Sequence, residues 1–349
     1  MKDILLDYSE EELKGIFAQF AEPSFRAGQV FSALHKNLSF AEMSALPKPL
    51  RAALEDRYAA PAVKIVKTLE STDGTKKYLF ALQDGNVIEG VLMRYKYGNT
   101  QCVSTQVGCR MNCAFCASGL NGLVRNLTAG EILGQIAAVN AAEGGTTEER
   151  KVTNVVLMGS GEPLDNYDNV VRFLKNLSAK GGLNISLRNV SLSTCGLVDK
   201  MYRFAEEKLP VTLTVSLHSP YDGERRRIMP AAKKFSVGEI LKACDRYFSV
   251  TGRRYVFEYV LIAGENDSKR HAEALVSLLK GKPCHVNLIR LNEVKERALQ
   301  AATDKSAYGF LGLLEKGGLS ATLRRRIGAD IGGACGQLRQ KYLENGDLH

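Results

Sequence analysis

The run Cys109-Arg-Met-Asn-Cys113-Ala-Phe-Cys116 constrains this chain more than any other stretch. Three thiols fall within eight residues at Cys-x3-Cys-x2-Cys spacing, and a polar, glycine-bearing run follows at 117–122. Thiolates spaced this way can wrap a loop around one iron–sulfur cluster, because successive sulfurs turn toward different corners. A four-iron cubane held by three sulfurs keeps one iron open to a small ligand. Spacing alone leaves other readings open. Cys102, seven residues upstream, could complete a closed four-thiolate zinc site. Structural disulfides and accidental clustering are the remaining two.

Downstream of Gln101 the hydrophobic patterns of strand and helix alternate. Strands are predicted at 101–105, 154–158, 186–193, 211–217, 255–261 and 286–291, with a last one at 320–323. Helices are predicted between them near 128–142, 167–179, 200–207, 237–250, 267–280 and 305–316. Capping boxes, Thr128-x-x-Glu131 and Ser236-x-x-Glu239, mark two of the helix starts. Six such units imply an α/β fold with a parallel sheet curling into an open barrel. A closed eight-unit barrel takes about 250 residues. Here 99–345 holds six units, so a partial (β/α)6 barrel is predicted.

The preceding chain divides in two. Residues 1–62 read as a small helical accessory domain, with amphipathic segments at 10–20, 25–38 and 50–58. Residues 63–98 read as a connecting β-hairpin, its turn marked by Asp84-Gly85. No long apolar run suggests a transmembrane helix, and the acidic, interrupted first twenty residues do not resemble a signal peptide. The expected location is the cytoplasm, where eight cysteines point to metal or redox chemistry rather than stable disulfides. A net charge of +9 favours a polyanionic partner.

The cysteine run, with Phe115 before its last thiol, resembles the signature of the radical S-adenosylmethionine (SAM) superfamily. Its surroundings are similar to the RlmN and Cfr family, which methylates an adenine of large-subunit ribosomal RNA. The likeness is carried by Gln101-Cys-Val-Ser-Thr-Gln-Val-Gly-Cys109, Met158-Gly-Ser-Gly-Glu-Pro163 and Ser216-Leu-His218. It continues through His285-Val-Asn-Leu-Ile-Arg-Leu-Asn292 and Ile331-Gly-Gly-Ala-Cys-Gly-Gln-Leu338. Matching runs from about residue 23 to 340, in order.

What the resemblance implies is specific. Cys109, Cys113 and Cys116 would hold a [4Fe-4S] cluster. Gly161, Glu162, Ser193, Ser216, Leu217, His218 and Asn292 would bind SAM, two molecules per turnover. Ser160 stands where the family often has methionine. Carbon 2 of adenine lies between two ring nitrogens and is too electron-poor to attack a SAM methyl group. In the family a carbon radical avoids this difficulty, with the methyl first placed on the cysteine matching Cys335. Cys102 matches the thiol that then releases the product by forming a disulfide, and Glu89 matches the proton acceptor. Without the resemblance, His218 reads as structural and Glu89 as an exposed strand carboxylate. Cys195, Cys244 and Cys284 read as packing residues.

The substrates implied are adenosine 2503 of 23S rRNA and adenosine 37 of some tRNAs, with a flavodoxin- or ferredoxin-type reductant and a monomeric enzyme. The basic clusters 225–227 and 324–326 suit phosphate contacts near the strand-end face, as do Lys36, Lys48 and Arg51 in the helical module. Residues 252–254, 257–259 and 324–326 resemble RlmN, whereas 216–221 and 288–290 lean toward the Cfr type, which modifies carbon 8 and confers antibiotic resistance. A zinc-stabilised, non-catalytic RNA-binding protein is the alternative from another class.

Overall fold

A computed structural model describes residues 1–328 together with 330 and 331. The N-terminal part comprises β1 (Asp3–Ile4), α1 (Glu10–Gln19), α2 (Phe25–His35), α3 (Lys48–Arg57) and β2 (Tyr58–Ala59). A capping box of Ser9 and Glu12 opens α1. Leu13, Phe17, Val30, Phe31, Leu34 and Leu54 are buried. Helices this short are marginal in isolation, so tertiary burial holds them.

This helical layer is fastened to the barrel by polar contacts. Asp7 Oδ1 accepts from the Gly130 amide at 2.6 Å, and Arg172 pairs with Glu12 at 2.9 Å. His35 is buried and its Nδ1 accepts from the Leu183 amide at 3.1 Å. Burial pushes the His35 imidazole down from 6.5 to about 4. With its folded pKa below the ordinary value, its stabilising contribution is complete above pH 6.5 and is lost as pH falls toward 4. Linkage puts the loss at about 2 kcal/mol by pH 5. The drop in melting temperature from pH 7.5 to pH 5 should therefore be larger in the parent than in His35→Gln. Equal drops would show that His35 does not titrate on unfolding.

The sheet begins with an antiparallel meander: β3 (Lys64–Glu70), β4 (Lys76–Ala81), β5 (Val87–Tyr95) and β6 (Gly98–Cys102). Gly85, at φ +78°, closes the predicted turn between β4 and β5. A second hairpin, β7 (Gln106–Gly108) with β8 (Leu123–Asn126), precedes α4 (Ala129–Ala142). Then follow β9 (Asn154–Leu157), α5 (Tyr167–Leu177), β10 (Val190–Thr194), α6 (Val198–Glu206) and β11 (Thr212–Ser216). The rest is α7 (Asp222–Ile228), α8 (Val237–Thr251), β12 (Tyr255–Leu261), α9 (Lys269–Leu279), β13 (Cys284–Arg290), α10 (Asp304–Lys316) and β14 (Ala321–Leu323).

Among the described residues ten strands form one sheet, ordered β14-β13-β12-β11-β10-β9-β6-β5-β4-β3. From β6 through β14 the pairing is parallel, and a helix follows each of β6 and β9–β13. This is the expected partial (β/α)6 barrel. The predicted hairpin is part of the same sheet, since β5 pairs with β6. One face of the barrel strands packs against the helices through Val155, Leu157, Leu192, Leu213, Val215, Phe257, Tyr259 and Leu288.

Two strand predictions need correction. The first strand ends at Cys102 rather than at 105. Beyond it Ser104 turns to other partners: its hydroxyl donates to Glu89 O and its amide to Gln135 Oε1. The third strand starts at Val190, because the Ser186 hydroxyl accepts from the Arg188 amide and sets a 3-10 turn over Leu187–Asn189. Among the described residues no helix is long and apolar enough to cross a membrane.

Candidate active site

The hairpin β7–β8 frames the cysteine loop. Gly108 has φ +77°, and a Cβ there would stand 2.0 Å from Gly122 O, so no other residue fits without opening the hairpin. The Cys109 amide donates to Gly122 O at 2.9 Å, and the Ala114 amide donates to Ile228 O at 2.8 Å, tying the loop to the end of α7. Phe115 meets His218 edge-on at 4.6 Å. Cys113, Ala114 and Phe115 pack on a small apolar cluster of Cys195, Ile228, Met229, Val260, Ile262 and Leu291, separate from the main core. The loop is thereby seated over the C-terminal ends of the strands.

The three thiols share one partly buried loop. Burial pushes the Cys109 thiol up to about 12, and the nearby Cys116 adds to the effect. Cys113 is raised further by burial and by both of its fellow cysteines. Iron bound to the thiolates would offset this cost. The three are thus within electrostatic reach of one another. Yet among the described residues no three His, Cys, Asp or Glu side chains converge on one ion position. Three thiols on one pinned loop are the donor set that three irons of a cluster would take. Cys102, the fourth zinc ligand in the competing reading, sits in β6 opposite Val91 and Val156. No disulfide joins the described cysteines.

Gly159, Ser160 and Gly161 turn tightly after β9. A Cβ on Gly159 would meet Val103 O at 2.7 Å, and Gly161, at φ +106°, presses against Gln106. Ser160 Oγ lies 3.2 Å from Ser118 Oγ, which links this turn to the cysteine loop. Glu162 is buried. One of its oxygens accepts from the Leu164 amide at 3.0 Å and the other from the Cys195 amide at 2.7 Å. Burial raises its pKa while those amides oppose the rise. Cys195 is therefore more than packing: its amide is held by Glu162, its thiol lies beside that carboxylate, and burial pushes the thiol well up.

Ser193 lies inside β10 and Ser216 ends β11, both half-buried. Leu217 points into the main core, and its backbone is already used: the amide donates to Glu258 O and the carbonyl accepts from Arg225. His218 has φ +57° and is buried; its Nδ1 accepts from the Val260 amide at 3.0 Å, which leaves the proton on Nε2. Burial and the Arg225 charge push it down to about 3. Asn292 is exposed, two residues beyond the end of β13.

For Glu89 the structure sets aside the bland reading of an exposed strand carboxylate. It is buried, not exposed, and its carboxylate stands 3.5 Å from the ammonium of buried Lys77. In the β5–β6 register Val91 faces Cys102. Glu89 is two residues from Val91, so Glu89 and Cys102 are diagonal neighbours on one face of the sheet. The opposite face carries Ile88 and Leu92 into the core. Lys77 could have been flagged as a charged position in the otherwise apolar alternation of β4. Cys335 lies outside the described residues.

The basic clusters are corrected in part. Arg225 is buried and bonded to backbone carbonyls, so only Arg226 and Arg227 of its cluster are exposed. Arg324 is half-buried 3.6 Å from Glu258, leaving Arg325 and Arg326 at the surface.

A parallel partial barrel with three cysteines on a loop over its strand ends defines a radical SAM enzyme. The radical SAM superfamily model matches residues 103–275, and the model for the N-terminal domain of ribosomal RNA large subunit methyltransferases matches 4–59. Proteins named probable dual-specificity RNA methyltransferase RlmN are similar along the whole chain. The Clostridium perfringens protein is 49% identical, covering 100% of this chain and 99% of its own. The Clostridioides difficile protein is 50% identical, covering 98% of each. A radical SAM methyltransferase from Sphaerobacter thermophilus has the same fold, with a TM-score of 0.91 and 41% identity over 96% of this chain and 98% of its own. The chain belongs to the RlmN family of radical SAM methyltransferases, which use a [4Fe-4S] cluster and SAM.

Proposed function

We propose that this protein is a dual-specificity RNA methyltransferase that methylates carbon 2 of adenosine 2503 in 23S rRNA and of adenosine 37 in some tRNAs. The full-length likeness, spanning the helical module and the barrel alike, carries this reading. Cys109, Cys113 and Cys116 would hold the cluster. Bound there, the cluster and SAM supply a carbon radical. Gly161, Glu162, Ser193, Ser216, His218 and Asn292 would cradle SAM, with Leu217 shaping the strand end from the core side. Cys335 would carry the methyl group to the ring. Glu89, its carboxylate 3.5 Å from the Lys77 ammonium, would take the ring proton, and Cys102 would release the product as a Cys102–Cys335 disulfide.

The division into 1–62, 63–98 and 99–345 assigns RNA docking to the first unit and chemistry to the last; the end of that last unit lies outside the described residues. A monomer working in the cytoplasm with a flavodoxin- or ferredoxin-type reductant completes the reading. The target base must leave its stack to reach a site at the strand ends.

The test is mass spectrometry of rRNA and tRNA from a host lacking this methylation and expressing the protein. 2-Methyladenosine is expected; 8-methyladenosine would assign the Cfr type, and neither product would overturn the proposal. Glu162→Ala should weaken SAM binding at least tenfold with iron largely retained. It strips the Leu164 and Cys195 amides of their acceptor, at about 1–3 kcal/mol for each buried group left unpaired. Unchanged SAM affinity would make the turn merely structural.

A further inference from the structure

Arg225 is only 1% exposed, yet its guanidinium makes no ion pair among the described residues. Instead it bonds three backbone carbonyls. Nε donates to Leu217 O at 3.0 Å, and Nη2 donates to Cys195 O at 2.6 Å and to Ser216 O at 3.0 Å. Carbonyl dipoles solvate a buried cation but do not neutralise it, and an uncompensated buried charge is costly. Among the described residues the one carboxylate within its electrostatic reach is Asp222, three residues back on the same helix, and it forms no ion pair with the guanidinium.

The guanidinium also faces the cysteine loop. Cys195 lies just past β10 and Ser216 ends β11, so Arg225 clamps two neighbouring strand ends. The same helix offers Ile228 O to the Ala114 amide, inside the cysteine loop. The Cys113 and Cys195 thiols are within electrostatic reach of the guanidinium. A [4Fe-4S] core of charge +2 on three thiolates carries a net charge of −1, and accepting one electron from a donor protein makes it −2. A fixed cation in a dry site favours the more negative state, and local charge is among the levers that set cluster potentials.

We propose that Arg225 is a positioning residue for the cluster: it locks the ends of β10 and β11 beside the cysteine loop, and its buried charge makes the cluster easier to reduce. This rests on the cluster assigned to Cys109, Cys113 and Cys116 and is independent of the RNA substrate.

The test is a redox titration of the reconstituted protein, followed by electron paramagnetic resonance of the reduced cluster, in the parent, Arg225→Lys and Arg225→Gln. Gln keeps hydrogen-bond donors without the charge, and Lys keeps the charge with fewer donors. The reduction equilibrium should fall at least tenfold in Arg225→Gln, a shift of about 59 mV for one electron, and stay within threefold of the parent in Arg225→Lys. An unchanged potential in Arg225→Gln, or an equal fall in both variants, would overturn the inference. If Arg225→Gln takes up no cluster, Arg225→Lys decides: a potential near the parent's upholds the inference, and a tenfold fall overturns it. A parent that binds no iron would instead overturn the cluster assignment itself.

Discussion

Cys113→Ala is expected to fold but to lose both the cluster and SAM cleavage. The thiol packs at the edge of the small apolar cluster over the strand ends rather than in the main core. Losing one sulfur there should cost stability only about 1 kcal/mol. The chemical effect is far larger. Changes to outer-shell partners of metal sites already cost roughly 10–100-fold, and removing a ligand itself should exceed that and take SAM cleavage to background. Cys109→Ala and Cys116→Ala should behave alike, because three sulfurs are the minimum the loop supplies. Iron and sulfide content, 5′-deoxyadenosine formation and melting temperature read the three claims separately. A variant that kept full iron content and undiminished cleavage would remove the cluster from this loop.

The second large effect separates Cys102 from Cys335. Cys335→Ala has no sulfur to carry the methyl group and should give neither methylated RNA nor a protein–RNA adduct. Cys102→Ala keeps the carrier and should complete addition to the ring, then stall for want of the releasing thiol. It should accumulate a covalent complex that survives denaturation and disappears on nuclease digestion. Both variants should lack product, but only one should form the adduct. Direct methyl transfer from SAM would produce no such split. Normal turnover by Cys102→Ala would end its releasing role, and normal turnover by Cys335→Ala would end the carrier mechanism. The adjacency of Glu89 and Cys102 on one sheet face suits proton removal and release at one place.

The legible parts of this molecule were those written in local spacing. The capping residues Thr128 and Ser236 act as expected, each accepting from the amide three residues on. The Asp84-Gly85 turn needs φ > 0 and obtains it at glycine. Departures came where a side chain took a backbone partner, as Ser104 and Ser186 do when they displace strand pairing. The burial of Glu89, Arg225 and Cys195 has a different origin. Each carries an ordinary local pattern, and its burial depends on elements far away in sequence.

The sequence by itself determined the cysteine spacing and the six strand–helix units, because these follow from residues a few positions apart and from periodicity; the class of chemistry came from the family resemblance that several motifs in register carry. Only the tertiary structure decided which residues meet. The β5–β6 register brings Glu89 beside Cys102, and the fold of β4 against β5 sets Lys77 3.5 Å from Glu89. The packing of α7 buries Arg225 against the ends of β10 and β11. A strand buried on both faces gives no alternation from which to tell the ligand side from the helix side. That choice is made by neighbouring strands and the helices laid over them.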